Sequence, residues 1–284
     1  MKLKSYGKIN LGLRVLGVRP DGYHEIETIL QTIDLHDDIE LSPARGGIRI
    51  RSSHALVPED DTNLAWKSAQ LLKESYGVQE GVDVTIRKVI PVGAGMGGGS
   101  SNAAVILMGV ARMWGISLPD NELFSLAAEI GSDVPFFLRG GTALATGRGQ
   151  DLEYFNPDWD QETFVLIYPH IEVSSAWAYK TVKLDLTHTG KYVNLKSLFD
   201  KGTFSQSGRT ALFANELEEG VNSRYPVVGR AKETLLSQGA VAAAMTGSGS
   251  AVYGLFVTWE EAQKAAHRIQ QPGWDVFLTK PINL

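Results

Sequence analysis

Apolar and polar residues alternate through most of the first fifty positions, which is the pattern of half-buried strands. The alternation predicts four short strands, at residues 8–16, 24–33, 39–41 and 48–51. Turns are predicted at residues 19–22, where Arg-Pro-Asp-Gly stands, and at Asp37-Asp38. The first of these turns joins two strands into a hairpin, so the chain is expected to begin in sheet.

A helical period replaces the alternation after residue 63. Helices are predicted at residues 64–76, 103–114 and 121–130, and a strand at 82–90. Asn63 is expected to cap the first helix, which Gly77 ends. Proline at position 135 disfavours helix at the residue before it, so Asp133 is expected in an irregular turn. Short strands are predicted at residues 136–138 and 141–146.

The acidic, aromatic stretch 151–162 shows no clear period, and we place a domain boundary in it. The predicted domains are residues 1–155 and 156–284. Strands are predicted in the second half at 164–168, 241–245, 252–257 and 275–279, with helices within 174–238 and at 260–270. This β-α-β-β-α-β order is the split βαβ pattern of a ferredoxin-like domain, with extra helices in the first crossover.

Composition limits the classes of function. The 284 residues carry a net charge of −5 from 27 basic and 32 acidic side chains, with no basic tract suited to a nucleic-acid backbone. The absence of cysteine excludes disulfides, thiolate metal sites and cysteine nucleophiles. No apolar run reaches the roughly 18 to 20 residues of a membrane span, and the first residues do not resemble a secretory leader. We therefore expect a cytoplasmic protein, bacterial rather than plastid, without nucleic-acid or membrane partners; protein partners are left open.

The stretch that joins the strand at 82–90 to the following helix contains five glycines and two serines. Such a turn suits a phosphate, because N–H groups without side chains beside them can close on it and the helix N-terminus adds roughly half a positive charge. The hydroxyls of Ser100 and Ser101 are expected either to cap the helix or to ligate a metal ion bound to a nucleotide.

Several familiar signatures do not fit this loop. Gly93, Gly95 and Gly98 spell the dinucleotide fingerprint, but the region that should supply a ribose-binding acid is helical. A Walker A loop would require lysine where Gly99 stands. The downstream motifs of protein kinases and the Gly-x-Ser-x-Gly elbow of hydrolases do not occur.

Three segments resemble the GHMP kinases, the small-molecule kinases named for galactokinase, homoserine kinase, mevalonate kinase and phosphomevalonate kinase. They are residues 7–11 (Gly-Lys-Ile-Asn-Leu), the glycine-serine loop and residues 245–250 (Met-Thr-Gly-Ser-Gly-Ser). Residues 17–25 and 130–136 resemble one member, whose acceptor carries a cytidyl diphosphate. The resemblance implies an α+β fold with an N-terminal nucleotide domain, its sheet similar to a ribosomal-protein domain, and a ferredoxin-like C-terminal domain. It also implies ATP as phosphoryl donor and Mg²⁺, with the metal ligands left open.

The resemblance implies that Asp133, in the Asp-Val-Pro turn, and Lys8, in the first motif, are catalytic. Asp133 would accept or orient the proton of the attacking hydroxyl, and Lys8 would offset negative charge. Without the paired motifs, Asp133 would be interpreted as a carboxylate in a helix-terminating turn and Lys8 as a solvated lysine on a strand. Asn10 is two residues from Lys8, hence on the same strand face, and is expected to hydrogen-bond the acceptor.

Three ring-bearing side chains match the family's cytidyl pocket. His24 would bond the edge of the base and Tyr23 would stack or bond nearby. Tyr179 matches an aromatic that stacks on cytosine, although a helix position equally suits the core. At Leu30 many members carry an aromatic that sandwiches cytosine, so here an aliphatic contact is expected.

The nucleotide-binding residues implied by the resemblance are Asn63, Lys88, Pro91, Gly93, Gly95, Gly97, Gly98, Gly99, Ser100 and Ser101. A second glycine loop near the site contains Gly247, Ser248 and Gly249. Asn63 and Lys88 would otherwise be a helix cap and an exposed strand lysine. Two alternatives stay open: a sister kinase acting on mevalonate, homoserine or a sugar, and a non-catalytic nucleotide-binding module.

Overall fold

The computed structural model describes residues 1–157, 162–182, 195 and 212–284. The chain divides into two compact units that do not follow chain order. Unit 1 contains Met1–Gly7, Leu35–Val92 and Gly97–Gly140, and unit 2 contains Lys8–Asp34, Gly93–Met96 and Gly141–Leu284. The division at residue 155, made from composition, stays a prediction.

Unit 1 combines sheet with four helices. Its elements are parts of β1 (Lys2–Val18) and β2 (His24–Ala44), then β3 (Ile48–Ser52), α1 (Leu64–Tyr76), β4 (Gly81–Arg87), α2 (Gly98–Met113), α3 (Asp120–Ile130) and α4 (Val134–Arg139). Strand β4 lies between β2, to which it runs antiparallel, and β3, to which it runs parallel. Helix α1 has the predicted boundaries, because the Asn63 side chain accepts from the N–H of Ala65 and Gly77 adopts the left-handed conformation, φ 66°.

Two predictions of secondary structure in unit 1, at residues 37–38 and 136–138, are wrong. Asp37-Asp38 is not a turn, because β2 continues through it and the Asp37 carboxylate is fully buried with hydrogen-bond partners. Residues 136–138 are helical rather than extended, since Pro135 occupies the first turn of α4, where a missing N–H costs no helical bond. Asp133 does lie in a turn, immediately before that helix.

Unit 2 contains the second sheet. Its remaining elements are β5 (Thr142–Gly147), β6 (Asp151–Phe155), β7 (Thr163–Tyr168), α5 (Ser175–Lys180), α6 (Glu218–Arg224), α7 (Pro226–Ser237), β8 (Ala242–Met245), β9 (Val252–Phe256), α8 (Trp259–Arg268) and β10 (Asp275–Thr279). Strands β7 to β10 form an antiparallel sheet in the order β10-β7-β9-β8. This arrangement confirms the predicted ferredoxin-like order. Much of the predicted 174–238 helical region lies outside the described residues.

The core of unit 2 explains why strands β7, β8 and β9 are mostly apolar. Val165, Ile167 and Phe256 are fully buried between the sheet and the helices, together with Ala231 and Leu235 of α7. Strand β6 occupies part of the stretch that showed no period, and it pairs with β5 in antiparallel register. Across the described ranges, no helix has both the length and the apolarity that spanning a bilayer requires.

Candidate active site

The predicted site residues fall in both units. Unit 1 holds Asn63, Lys88, Pro91, Gly97, Gly98, Gly99, Ser100, Ser101 and Asp133. Unit 2 holds Lys8, Asn10, Tyr23, His24, Gly93, Gly95, Tyr179, Gly247, Ser248 and Gly249. The glycine-serine loop is thus shared, with its first glycines in unit 2 and its last in unit 1.

Lys8 is a buried cation held by two oxygens, not a solvated strand lysine. Lys8 is only 4% exposed. The Nζ atom donates to Asn10 Oδ1 at 2.5 Å and to the carbonyl oxygen of Gly95 at 2.8 Å. The first of these bonds confirms that Lys8 and Asn10 share one face of β1. The second places the cation of the first motif against the glycine loop.

The Asn10 side chain is committed to the protein. Its Nδ2 donates to Thr28 Oγ1 at 2.8 Å, and Thr28 in turn donates to the carbonyl oxygen of Gly12 at 2.6 Å. Its Oδ1 also accepts from Thr246 Oγ1 at 3.4 Å. Asn10 therefore holds Lys8 in place, and a direct bond from Asn10 to the acceptor stays a prediction. Thr28 carried no sequence signal beyond its place in an alternating strand.

The first glycines of the loop pack against the second glycine loop so closely that side chains would not fit. A Cβ on Gly95, whose φ is 79°, would lie 2.1 Å from the carbonyl oxygen of Thr246. A Cβ on Gly247, φ 56°, would lie 2.9 Å from the carbonyl oxygen of Gly95. The Ala251 N–H donates to the carbonyl oxygen of Ala94 at 3.2 Å. Two glycine motifs, 151 residues apart at Gly95 and Thr246, therefore meet in unit 2.

Other contacts fix the second glycine loop from outside. Asn215, 8% exposed, donates from Nδ2 to the carbonyl oxygens of Met245 at 2.8 Å and Gly247 at 2.7 Å. Ser248 Oγ lies 2.9 Å from Ser175 Oγ. A Cβ on Gly249 would meet the Met245 sulfur at 2.6 Å. The sequence does not predict this role of Asn215, because nothing in its local pattern shows that its amide reaches a loop 30 residues further along the chain.

Tyr253 supports β1 next to the Lys8 motif. Its hydroxyl donates to the carbonyl oxygen of Leu11 at 2.7 Å and is fully buried. Burial, reinforced by the Glu218 carboxylate, holds the pKa of Tyr253 well above its usual value. The hydroxyl therefore stays a neutral donor and keeps the strand in position.

The N-terminus of α2 presents uncapped donors. The helix begins at Gly98, five residues before the predicted start, and its N-cap is Gly97, φ 69°, with no side-chain cap and no acidic residue in the first turn. The expectation that Ser100 or Ser101 caps the helix is therefore wrong, and Ser101 Oγ instead accepts from Ser5 Oγ at 2.7 Å. First-turn N–H groups have no intrahelical acceptor, so this end of α2 is suited to an anion.

Two residues expected near the nucleotide have structural partners. The Lys88 side chain, 4% exposed, is paired with the buried carboxylate of Asp37, so it is not an exposed strand lysine. Asn63 caps α1 and also donates to the carbonyl oxygen of Pro58 at 2.5 Å. Pro91, half-buried, stands between Lys88 and the glycines. Contacts of Asn63 and Lys88 with a nucleotide stay predictions.

Asp133 precedes α4 and does not cap it with its side chain. The residue is half-buried, and within the described part of the chain its carboxylate accepts no hydrogen bond. An uncommitted carboxylate is what a proton acceptor requires. Asp133 belongs to unit 1 and Lys8 to unit 2, so their joint action stays a prediction.

The rings expected in the cytidyl pocket come together in unit 2. His24 and Tyr179 stack with centroids 5.2 Å apart and planes inclined by 26°. Tyr23 is 54% exposed, and the guanidinium carbon of Arg148 lies 3.6 Å from the centroid of its ring. Leu30, in β2, is only 2% exposed, so its side chain has no free surface for the expected aliphatic contact with the base.

The turn before these rings is held by Asp21. Its Oδ1 accepts from the N–H of Tyr23 at 3.1 Å, and this bond lowers the pKa of the Asp21 carboxyl. Gly22 allows the turn with φ 82°. The turn therefore directs Tyr23 outward and starts β2 at His24, as the hairpin prediction required.

Comparisons with known proteins agree over nearly the whole chain. The model for the GHMP kinases N terminal domain matches residues 63–141, and that for GHMP kinases C terminal matches residues 195–273. The 4-diphosphocytidyl-2-C-methyl-D-erythritol kinase of Acetivibrio thermocellus is 35% identical, and that of Geobacter sp. strain M21 is 40% identical; each alignment covers 99% of both chains. A crystal structure of 4-(cytidine 5'-diphospho)-2C-methyl-D-erythritol kinase superposes with a TM-score of 0.82 at 29% identity, covering 98% of this chain and 99% of that one.

Proposed function

We propose that this chain, which belongs to the GHMP kinases and, within them, to the 4-diphosphocytidyl-2-C-methyl-D-erythritol kinases, phosphorylates the acceptor for which those kinases are named. The predicted α+β fold class agrees with this membership and is confirmed. The chain is therefore a kinase, with ATP as its phosphoryl donor. Its acceptor is 4-diphosphocytidyl-2-C-methyl-D-erythritol, for which these kinases are named. The product serves isoprenoid biosynthesis by the non-mevalonate route.

The reaction we infer is transfer of the γ-phosphoryl group of ATP to the tertiary 2-hydroxyl of the acceptor. A bond forms between the hydroxyl oxygen and the γ-phosphorus, and the bond from that phosphorus to the β–γ bridging oxygen breaks, so that ADP leaves. The hydroxyl proton passes to the carboxylate of Asp133, or is oriented by it. Phosphoryl transfer requires little covalent help, so positioning and charge stabilisation supply most of the catalysis.

The contact that supports this chemistry best is that between Lys8 and Gly95. A buried ammonium held against the backbone of a glycine loop provides fixed positive charge beside the loop proposed to hold the triphosphate. Lys8 would stabilise the charge that develops on the transferring group. Asn10 accepts from Lys8, and Thr246 donates to the same two oxygens as Lys8, Asn10 Oδ1 and the carbonyl oxygen of Gly95, so both residues keep that ammonium in one position.

The first turn of α2 is proposed to bind the phosphates. A Cβ on Gly99 would meet none of the described residues, and the N–H groups there have no acceptor in the helix. A phosphate placed there is favoured by both the donors and the helix dipole. Pro91, Gly93 and the following glycines would shape the loop that leads into this turn.

Mg²⁺ fits this arrangement as an ion carried by the nucleotide. Among the residues that the structure describes, no group of three or more acidic or imidazole side chains is placed to hold a metal. Mg²⁺ in kinases is bound largely by phosphates and water, so a protein cage is not required. When bound, it would neutralise phosphate charge, and the hydroxyl of Ser100, in the first turn of α2, is the proposed protein ligand.

The cytidyl group is proposed to bind at the His24–Tyr179 pair. Two stacked rings offer a flat surface for a base, and the imidazole nitrogens offer hydrogen bonds to its edge. Mevalonate, homoserine and simple sugars carry no base that would use such a pair. The stack therefore favours the cytidyl acceptor over those of the sister kinases.

The test is release of ADP in the presence of 4-diphosphocytidyl-2-C-methyl-D-erythritol, with mevalonate and homoserine as competing acceptors. We expect turnover with the cytidyl compound and background rates with the others. Faster turnover of a sister substrate would replace this acceptor with that one. In the Asp133→Asn variant, ATP affinity should persist while most turnover is lost. Full turnover in that variant would remove Asp133 from the mechanism, and no turnover in any wild-type assay would leave only a nucleotide-binding module.

A further inference from the structure

Asp37 is a fully buried carboxylate with four donors around it. Its Oδ1 accepts from the N–H groups of Val89 at 2.7 Å and Ile90 at 2.9 Å. Its Oδ2 accepts from Asn102 Nδ2 at 2.9 Å and from the Lys88 ammonium. A charged group with no exposure is costly unless it is paired and hydrogen-bonded, and here it is both.

These four donors come from the two ends of the glycine-serine loop. Lys88, Val89 and Ile90 lead into the loop, whereas Asn102 lies in α2, past its first turn. One carboxylate thus joins the segment that enters the loop to the helix that leaves it. The chain supplies this group from β2, some fifty residues earlier, so the constraint is not local.

The hydrogen-bond network continues to Ser101, the second serine of the loop. Asn102 Nδ2 also donates to Ser5 Oγ at 2.8 Å, and Ser5 donates to Ser101 Oγ at 2.7 Å. Lys88 Nζ lies 3.0 Å from the position that a Cβ on Gly98 would take. The Asp37 network therefore reaches the first turn of α2 by two routes, through Lys88 at Gly98 and through Ser5 at Ser101.

We propose that Asp37 is the positioning residue of the ATP-binding loop: by fixing both ends of the loop, it holds the first-turn N–H groups of α2 in the geometry that binds phosphate. The inference rests on the proposed function, in which that turn receives the triphosphate. Asp37 has no exposed surface and touches no substrate, so it acts only through the loop. The same carboxylate sets the place of the Lys88 ammonium beside Gly98, which adds positive charge to this end of the helix.

The network also keeps the loop ready before ATP arrives. Hydrogen bonds in a buried, low-dielectric network reinforce one another, and a satisfied network specifies one arrangement. A preorganised loop does not have to be ordered by the ligand, so binding keeps more of the interaction energy. Loss of Asp37 is therefore expected to weaken ATP binding more than acceptor binding.

The test compares Asp37→Asn with Asp34→Asn, a carboxylate three residues away on β2 that accepts from the Thr279 hydroxyl and from the N–H of Lys280. We expect Asp37→Asn to raise both the Kd and the KM for ATP by about tenfold or more, with acceptor KM changed less than about twofold. Asp34→Asn should leave both near wild type. Binding of a non-hydrolysable ATP analogue is measured as well, so the result stands even if the acceptor assignment fails.

A second variant separates positioning from stability. Removing one partner of a buried ion pair destabilises the fold, whereas replacing both by neutral groups relieves the uncompensated charge. Asp37→Asn with Lys88→Met should therefore recover thermal stability lost in Asp37→Asn, while the Kd for ATP stays raised. The proposal would be overturned if the double variant recovered both its thermal stability and the wild-type Kd for ATP. It would also be overturned if folded Asp37→Asn had an unchanged Kd for ATP, or if its acceptor KM rose in parallel with the KM for ATP.

Discussion

The Lys8 ammonium donates to the carbonyl oxygen of Gly95 at 2.8 Å, across 87 residues of sequence. The bond joins the first motif to the glycine loop within unit 2. A lysine on a strand usually keeps its charge in water, but this one is buried and its amine is held by two oxygens. Its position is therefore set by the loop that is proposed to bind the phosphates.

Lys8→Met should reduce kcat by roughly 10²- to 10³-fold, the usual loss when one preorganised electrostatic group is removed. ATP affinity should change far less, because the N–H donors of α2 remain. Steady-state kinetics and direct ATP binding measure the two effects separately. Lys4→Met is the matched control, since Lys4 is an exposed lysine on the same strand. A kcat within a few-fold of wild type in Lys8→Met would remove this residue from catalysis.

Alanine at two glycines of the loop should have opposite effects on stability. Gly95→Ala forces a Cβ to within 2.1 Å of the Thr246 carbonyl oxygen and imposes a side chain on a residue with φ 79°, so we expect a clear fall in Tm and lost activity. Gly99→Ala enters open space in a helix and should stabilise by up to about 1 kcal/mol.

The same pair tests the phosphate site. In Gly99→Ala the methyl group stands beside the first-turn donors, so the KM for ATP should rise although the protein is at least as stable as wild type. Thermal melting and ATP titration of both variants check these outcomes. A stable Gly99→Ala enzyme with unchanged KM for ATP would place the phosphates elsewhere.

Tyr179→Leu should weaken acceptor binding by roughly 1 to 3 kcal/mol, the usual contribution of stacking on a base. KM for ATP should not change. Tyr76→Leu, at the exposed end of α1, is the control aromatic. Inhibition by free cytidine, measured against both substrates, shows which site is affected, and equal shifts in both KM values would argue against a cytidyl pocket here.

His24→Phe separates stacking from base recognition. The ring pair with Tyr179 can be kept, whereas the nitrogens that would bond the base edge are lost. We expect the preference for cytidine over uridine to fall while general affinity for nucleosides persists. An unchanged preference would assign base recognition to other groups.

Asn215→Ala should destabilise the protein by roughly 2 to 4 kcal/mol, because two carbonyl oxygens and the N–H of Leu217 lose their partner in a buried place. Chemical denaturation measures this loss. Asn222→Ala is the control: its Oδ1 accepts one bond, from the N–H of Gly229, at an exposed position, and less than about 1 kcal/mol is expected. Equal losses in the two variants would show that the second glycine loop does not depend on Asn215.

Local signals along the chain are sufficient to predict most of its helices and strands and the kind of chemistry. Helix α1 has the predicted ends because its signals, an Asn cap and a left-handed glycine, act within one turn. Strand β10 and the β-α-β-β-α-β order follow from apolar runs and their spacing. The glycine-serine loop, Lys8 and the second glycine loop identified a phosphate-transferring family, because motifs with fixed spacing are properties of the chain alone.

How those residues act on one another depends on contacts that form only in the folded chain. Asp37-Asp38 looked like a turn, since paired aspartates usually face water, but donors from the loop and α2 keep Asp37 buried within a continuous strand. Asn215 and Thr28 gained their places through contacts far along the chain. Hydrogen bonds between distant segments leave no period in the sequence, so the elements were predictable and the groups that hold Lys8 and the loop were not.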